Sequence, residues 1–155
     1  TSGITSDYTM VAVVITDMVA ASDSNKLCLR MGPSGGLKTG ASDYGWGFHR
    51  VLIGGGENHT DDSTDSKIVL HPSDLLGNST NETYSAVVEL WNPSSAVKHF
   101  VWTRGMYNRN LDGAQVVIYG GGMYFAAAEA ITQLSFFMDS GNITSGNFKL
   151  YGLLG

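Results

Sequence analysis

The chain has 155 residues, of which 43% are hydrophobic and 15% are charged, and its formal net charge is −5. A chain of this length fits a single domain, so we expect residues 1–155 to fold as one unit. Its nine basic residues are thinly spread and form no stripe that could neutralise phosphates, which argues against nucleic acid as a partner. No apolar run reaches the roughly 20 residues of a membrane span, so we expect no membrane insertion. The low charge, against about 25% in an average protein, predicts a small-polar surface that other chains partly cover.

Apolar residues at a two-residue period, or in short solid runs between small polar clusters, predict strands along most of the chain. The first predicted strand, at 8–18, is apolar on both faces, as in a strand inside a sandwich. The second, at 26–32, follows a hairpin-like polar turn. The alanine-rich segment 123–134 could form a helix, but its aromatic start and the alternation that follows favour a strand. Nine strands are predicted in chain order, at 8–18, 26–32, 46–55, 67–72, 85–93, 98–107, 114–122, 130–139 and 146–154.

Loops rich in glycine and small polar residues separate these strands, notably at 32–36, 54–66 and 76–84. This spacing of short strands and turns predicts an all-β fold, an antiparallel, jelly-roll-like β-sandwich of about eight to nine strands. Cys28 is the only cysteine and lies between two leucines, so we expect it to be a small buried core residue.

The densest group of acidic residues lies in the predicted loop at 54–66. It includes Asp61, Asp62 and Asp65, and Ca²⁺ takes oxygen ligands from such loops. An EF-hand-like pattern begins at Asp61, but Ser66 stands where that pattern needs glycine and Pro72 where it needs glutamate. A solvated acidic loop is therefore favoured, and a calcium site formed by the three aspartates is the alternative.

The sequence carries no nucleophile elbow, phosphate loop or histidine spacing of a metalloenzyme, so we expect a protein that is not an enzyme. Paired carboxylates of the glycosidase type leave no sequence pattern and stay open as an alternative. Sugars stack on exposed aromatic rings, which makes Tyr44, Trp46 and His49 the candidate carbohydrate-binding residues. A place in the core or in a subunit interface is the alternative for most aromatics. Glycosylation motifs of the Asn-x-Ser/Thr type occur at Asn58, Asn78, Asn81 and Asn142.

Two stretches, read together, resemble a known family. The first, "DYTMVAVVITDMVAASDSNKLCLRMGPSGGLKTGASDYGW", has a long strand, an aliphatic strand ending in Leu-Arg, a Gly-Gly tip and then a tyrosine. The second, "AITQLSFFMDSGNITSGNFKLYGLLG", has an alternating strand, a short polar loop and a final Gly-x-Phe-x-Leu-Tyr-Gly strand. They are similar to the opening and the close of a β-sandwich domain of virion proteins in tailed bacteriophages. Such domains occur in tail fibres, tailspikes, baseplate components and head-surface proteins.

The resemblance implies a jelly-roll domain that works by assembly and adhesion, typically as a trimer, and it offers no catalytic residues. It places the chain on the virion surface, in contact with capsid or tail proteins. The first predicted strand begins at residue 8, without the shaft or anchor expected of a tail fibre, which favours a compact module that decorates the capsid or forms part of a head or tail appendage. The alternative is a receptor-binding domain of a tail fibre or tailspike that recognises host-surface glycans.

The sequence continues past the family's Tyr-Gly with Leu153 and Leu154. Together with the low surface charge, these leucines predict a homotrimer or an obligate array in which both side chains pack into a neighbouring molecule. Within this last strand, the two-residue period puts Phe148 and Leu150 on one face and Lys149 and Tyr151 on the other.

Overall fold

The computed structural model describes residues 3–71, 76–109 and 112–155, which form β-strands, turns and irregular segments. Among these residues there is no helix that is long and apolar enough to cross a lipid bilayer. The strands are β1 (Tyr8–Ala20), β2 (Leu27–Gly32), β3 (Tyr44–Leu52), β4 (Glu57–Asp65), β5 (Ile68–Val69), β6 (Tyr84–Trp91), β7 (His99–Asn108), β8 (Gln115–Tyr124), β9 (Gln133–Met138) and β10 (Ile143–Leu154).

These ten strands form two sheets. The large sheet has seven strands in the order β10-β1-β6-β7-β8-β3-β4, and the small sheet has three in the order β5-β2-β9. Every neighbouring pair is antiparallel. The predicted all-β antiparallel sandwich is therefore confirmed, and a strand is present at each of the nine predicted positions with shifted ends. Residue 72, the last of the strand predicted at 67–72, lies outside the described residues.

A single core lies between the two sheets. Val11, Val13 and Ile15 alternate along β1 and are at most 2% exposed, because they face the small sheet. Leu27 and Leu29 of β2 are completely buried on the opposite side of the same core. The side of the large sheet that faces the small sheet is called the inner face below, and the opposite side is called the outer face.

Cys28 is completely buried in β2, as predicted. Desolvation raises the pKa of its thiol to about 12, and the nearby carboxylate of Asp139 acts in the same direction. Because the thiolate is the reactive form of cysteine, this side chain is an inert part of the core.

One histidine and two tyrosines form an aromatic cluster inside the core. The Nε2 atom of His71 accepts a hydrogen bond from the backbone N–H of Leu27 at 2.6 Å. Its ring centroid lies 5.2 Å from that of Tyr84 and 5.4 Å from that of Tyr107. Complete burial lowers the pKa of His71 to about 3. The imidazole is therefore neutral at neutral pH, which its acceptor role requires.

The prediction of a loop over 54–66 is wrong for most of its length, because β4 is a strand at the edge of the large sheet. It pairs with β3, where His49 lies opposite His59 and Phe48 opposite Thr60. Most β4 side chains are exposed. An edge strand of this kind needs no apolar residues, so the alternation that reveals a half-buried strand is absent from its sequence.

Candidate functional site

The outer face of the large sheet carries the side chains that alternate with the buried ones along each strand. The register of the strands places these outer side chains in rows that cross the sheet. In the first row, Met10 lies opposite both Leu153 and Trp91, and Phe100 lies opposite Met123. The second row contains Glu89, Trp102, Gly121, Gly47 and Asp61 on neighbouring strands, and the third contains Val14, Val87, Arg104, Tyr119, His49 and His59.

Exposed apolar side chains are concentrated on this outer face. Eleven large hydrophobic side chains are exposed in the described part of the chain, and seven of them lie here. Exposed apolar side chains concentrated on one face of a sheet are typical of a site where another molecule binds. The seven side chains are Trp91, Phe100, Trp102, Met106, Tyr119, Tyr151 and Leu153.

Charges on the outer face are few, and two of them are paired. Arg104 Nη2 lies 3.1 Å from Glu89 Oε1 between β6 and β7. This pair is partly exposed, so it adds little to stability. The pair matters more for the charge of the surface, because the two charges neutralise each other and leave the centre of the outer face close to neutral.

A trough crosses the outer face beside Trp102. In the second row, Gly121 and Gly47 carry no side chains and form the floor between Trp102 and Asp61. Trp102 lines two open depressions, one of about 460 Å³ and one of about 310 Å³, so that open space borders its indole on two sides. These volumes fall within the range of small-molecule binding sites.

Several residues that line the smaller depression carry polar groups, although the surface of the depression is mostly apolar. The rings of His49 and Tyr119 lie 5.0 Å apart, and Nε2 of His49 lies 3.1 Å from the carboxylate of Glu57. His59 and Asp61 are exposed at the same edge of the trough and present an imidazole and a carboxylate to solvent. The trough therefore combines an aromatic ring with hydrogen-bonding groups of both kinds, donors and acceptors.

The three predicted carbohydrate-binding residues do not form one site. Tyr44 is completely buried on the inner face, and its hydroxyl donates a hydrogen bond to the carbonyl oxygen of Met31 at 2.9 Å. The prediction that its ring is exposed is therefore wrong. Trp46 is half-buried against the core, and its indole N–H donates to the carboxylate of Asp65 at 3.1 Å. Among the three, His49 is the one that lies on the outer face.

The three predicted calcium ligands lie on β4 rather than in a loop. Asp61 and Asp62 are consecutive in an extended strand, so their side chains project to opposite faces. Partial burial raises the pKa of Asp65, but hydrogen bonds, the first of them from Trp46, hold it below its usual value. Within residues 3–71, 76–109 and 112–155, no group of three or more His, Cys, Asp or Glu residues could hold a metal ion. The structure does not bring the three aspartates together.

β10 forms the edge of the large sheet next to β1. Phe148 and Leu150 are half-buried while Lys149 between them is exposed, which confirms the predicted alternation. Leu153 is 56% exposed and Leu154 is 68% exposed. Their packing into a neighbouring molecule stays a prediction.

The sequence did not single out Phe100 and Trp102 as parts of one surface. The signal was present in the run Phe100-Val101-Trp102-Thr103, where two large aromatics share one face of the strand and two smaller residues share the other. Nothing in that alternation says which face is covered. Val101 and Thr103 prove to be buried, and the aromatics are exposed.

Comparison with known proteins gives no match to a family model, to a curated protein or to a solved structure.

Proposed function

We propose that this chain is a non-enzymatic structural module of a larger particle, of the kind found on the surface of bacteriophage virions, and that it acts through protein contacts. The observation that carries this proposal is the concentration of exposed apolar side chains on the outer face. Protein interfaces are enriched in tryptophan, tyrosine, phenylalanine and methionine, which are the side chains found there. The resemblance of the sequence to virion domains supplies the type of particle.

The size of these side chains makes the outer face a strong candidate for protein binding. Trp91 and Phe100 are each more than half exposed. An aromatic side chain buries about 150–250 Å², so covering the exposed half of one contributes about 2–3 kcal/mol at about 25 cal/mol per Å². A few such residues can supply most of the energy of a specific interface. The proposal includes self-association of the chain and contacts with capsid or tail proteins.

Incorporation into particles tests this proposal. In the double variant Trp91→Ser with Phe100→Ser, we expect a folded chain that is lost from purified particles, because its outer face can no longer bind. Ile53→Ser is the matched control, since Ile53 is 50% exposed in the turn before β4 and lies outside the rows of the outer face. Absence of the wild-type chain from particles would overturn the proposal. Full incorporation of the double variant would overturn the role of the outer face.

A second candidate function is saccharide binding for attachment to a host, which the trough beside Trp102 favours. One face of a pyranose ring presents C–H groups that stack on an indole, and its hydroxyls need hydrogen-bond partners at the rim. His59 and Asp61 provide such partners, and the floor at Gly121 and Gly47 lets a flat ring approach the backbone. The trough thus provides both elements that sugar recognition requires.

Glycan-array binding of single variants tests this second function. Trp102→Ala removes the stacking surface and should abolish binding. Tyr151→Ala is the control, because Tyr151 is an exposed aromatic of the outer face that lies on β10, outside the trough. Equal loss in both variants, or no binding by the wild-type chain, would rule out the trough as a sugar site.

A further inference from the structure

The two edges of the large sheet differ in chemistry. β4 carries Glu57 and three aspartates within nine residues, and charged side chains are a common means of preventing an edge strand from pairing. β10 has twelve residues, of which Lys149 is the one that is charged, and it exposes Tyr151 and two leucines. Along both edges, alternate backbone N–H and C=O groups point away from the sheet. Those of β10 are therefore open to another strand, whereas like charges oppose pairing of β4 with itself.

We propose that β10 pairs with β10 of a second copy of this chain around a two-fold axis, which joins two seven-stranded sheets into one. This inference rests on the proposed function and deepens it by naming the partner of this edge. A backbone edge is complementary to another strand, and a two-fold axis perpendicular to the sheet makes the two copies of β10 antiparallel. Antiparallel pairing is also the arrangement of every other neighbouring pair in the sheet.

Pairing of β10 with β4 of another copy is less favourable. Neighbouring strands alternate in direction across the seven-stranded sheet, and seven is odd, so β10 and β4 run in the same direction. A sheet that continued from β10 to β4 of the next copy, with its outer face on the same side, would therefore contain a parallel pair at each junction. Parallel pairs are slightly less stable per residue than antiparallel ones.

The regular part of β10 sets the register of the pair. Gly146 has a positive φ of +134°, and the pairing with β1 shifts next to it. The pairing with β1 is regular from Asn147 to Leu153, and β10 continues as a strand to Leu154. Tyr151 lies near the middle of this stretch. A two-fold axis at Tyr151 places Lys149 opposite the partner's Leu153 and keeps the two lysines apart. Because paired residues point to the same side, both outer faces lie on one side of the joined sheet.

This register also gives Leu154 an apolar neighbour. Leu154 shares a face with Phe148, which lines a groove of mixed polar and apolar surface between β9 and β10. The rings of Phe136 and Phe148 lie 5.5 Å apart in that groove. In the two-fold pair, the partner's Leu154 lies opposite Phe148, next to the groove. The most exposed apolar side chain of the strand is then covered by the same contact that satisfies the backbone edge.

Disulfide crosslinking tests the register. Cys28 is buried and its thiol is protonated, so the variant Tyr151→Cys contains one accessible thiol. Residues directly opposite each other in antiparallel strands have Cα atoms about 4.5–5.5 Å apart, which suits a disulfide. Mild oxidation should convert most of the Tyr151→Cys chains into covalent dimers. Asp61→Cys on the β4 edge is the control and should remain monomeric on the same gel.

Two crosslinking results would overturn the inference. The first is a covalent dimer of Asp61→Cys as abundant as that of Tyr151→Cys, since β4 would then pair equally well. The second is a crosslink that forms only when the two variants are mixed, because that result indicates a contact between β10 and β4.

Sedimentation velocity provides an independent measurement on the unmodified chain. We expect a concentration-dependent species of two chains, rather than the homotrimer predicted from the sequence. Tyr151→Glu places like charges opposite each other and removes a ring contact, so its dimer dissociation constant should rise about tenfold. Ile53→Glu, at a similarly exposed apolar side chain outside both the outer face and β10, should leave the constant unchanged. Circular dichroism of both variants verifies that they fold.

The failure of this inference can be told apart from the failure of the proposed function. A wild-type chain that stays monomeric, or that forms a trimer, overturns the β10 pair but leaves docking of the outer face on other particle proteins intact. A two-chain species formed by a protein that is absent from particles supports the β10 pair and overturns the proposed function.

Discussion

Acid should destabilise this protein through His71, the neutral imidazole buried between Tyr84 and Tyr107. The folded state holds the pKa of His71 at about 3, against an ordinary value of 6.5. As the pH falls below that ordinary value, the unfolded chain takes up a proton on this residue and the folded chain does not. The contribution of His71 to stability is therefore present above about pH 6.5 and is lost progressively as the pH falls toward 3.

The magnitude follows from the width of this window. One pKa unit corresponds to about 1.4 kcal/mol, so two units below the ordinary pKa, at about pH 4.5, the loss is about 2.7 kcal/mol. A domain of this size has an unfolding free energy of about 5–15 kcal/mol, so the loss is readily measurable. Asp139 favours the protonated ring and Lys26 disfavours it, but desolvation outweighs both.

Urea unfolding at about pH 7 and about pH 4.5 measures this loss. His71→Gln is the comparison, because its side-chain oxygen can still accept a hydrogen bond from Leu27 but does not titrate. Carboxylates with lowered pKa values, such as Asp65, lose stability in acid in both proteins, so the difference between the two losses isolates His71. We expect the wild-type protein to lose about 2.7 kcal/mol more than the variant. Equal losses would refute the neutral, buried state of this ring.

Three further predictions test the faces of the large sheet. Phe100→Ser should change the unfolding free energy by no more than about 0.5 kcal/mol, because this side chain is exposed. Val101→Ser should lower the unfolding free energy by about 2–4 kcal/mol, because this side chain is buried. Similar losses for both variants in urea unfolding would contradict the assignment of faces. Gly121→Ala should lower the unfolding free energy by about 1–3 kcal/mol, since the added methyl group would overlap the carbonyl oxygen of Val101. Gly56→Ala is the control and should be tolerated, because its methyl group meets no atom. Thermal unfolding that ranks the two variants in the opposite order would refute the close approach of β7 and β8. Added Ca²⁺ should leave the melting temperature unchanged, because Asp61 and Asp62 point to opposite faces. A rise in the melting temperature would instead support the calcium site predicted as the alternative.

The strands of the core were predictable because their apolar residues alternate or form solid runs. The apolar patterns of the same strands did not show that the outer face is exposed. The β1 strand is apolar on both faces, a pattern expected of a strand with both faces covered, yet only the face of Val11, Val13 and Ile15 lies against the small sheet. Val14 on the other face belongs to the outer surface. Sequence gives the character of a face, but whether a second layer covers it depends on the fold.

The directions of some side chains could be predicted from the sequence. Tyr44, Trp46 and Phe48 share one face of β3 by the two-residue period, and His49 lies on the other, so the period alone separates the proposed sugar-binding residues. The glycines of β8 led to a wrong prediction of where this strand ends. The predicted strand stops at residue 122, whereas the observed one continues to Tyr124, because glycine there allows close backbone packing instead of ending the strand.

Electron cryomicroscopy of purified particles that carry this chain would show what covers the outer face. We expect density for the sandwich in which the outer face, with Trp91, Phe100 and Met106, lies buried against a neighbouring protein. Particles that lack the chain, or that hold it with this face open to solvent, would refute the proposed docking of the outer face.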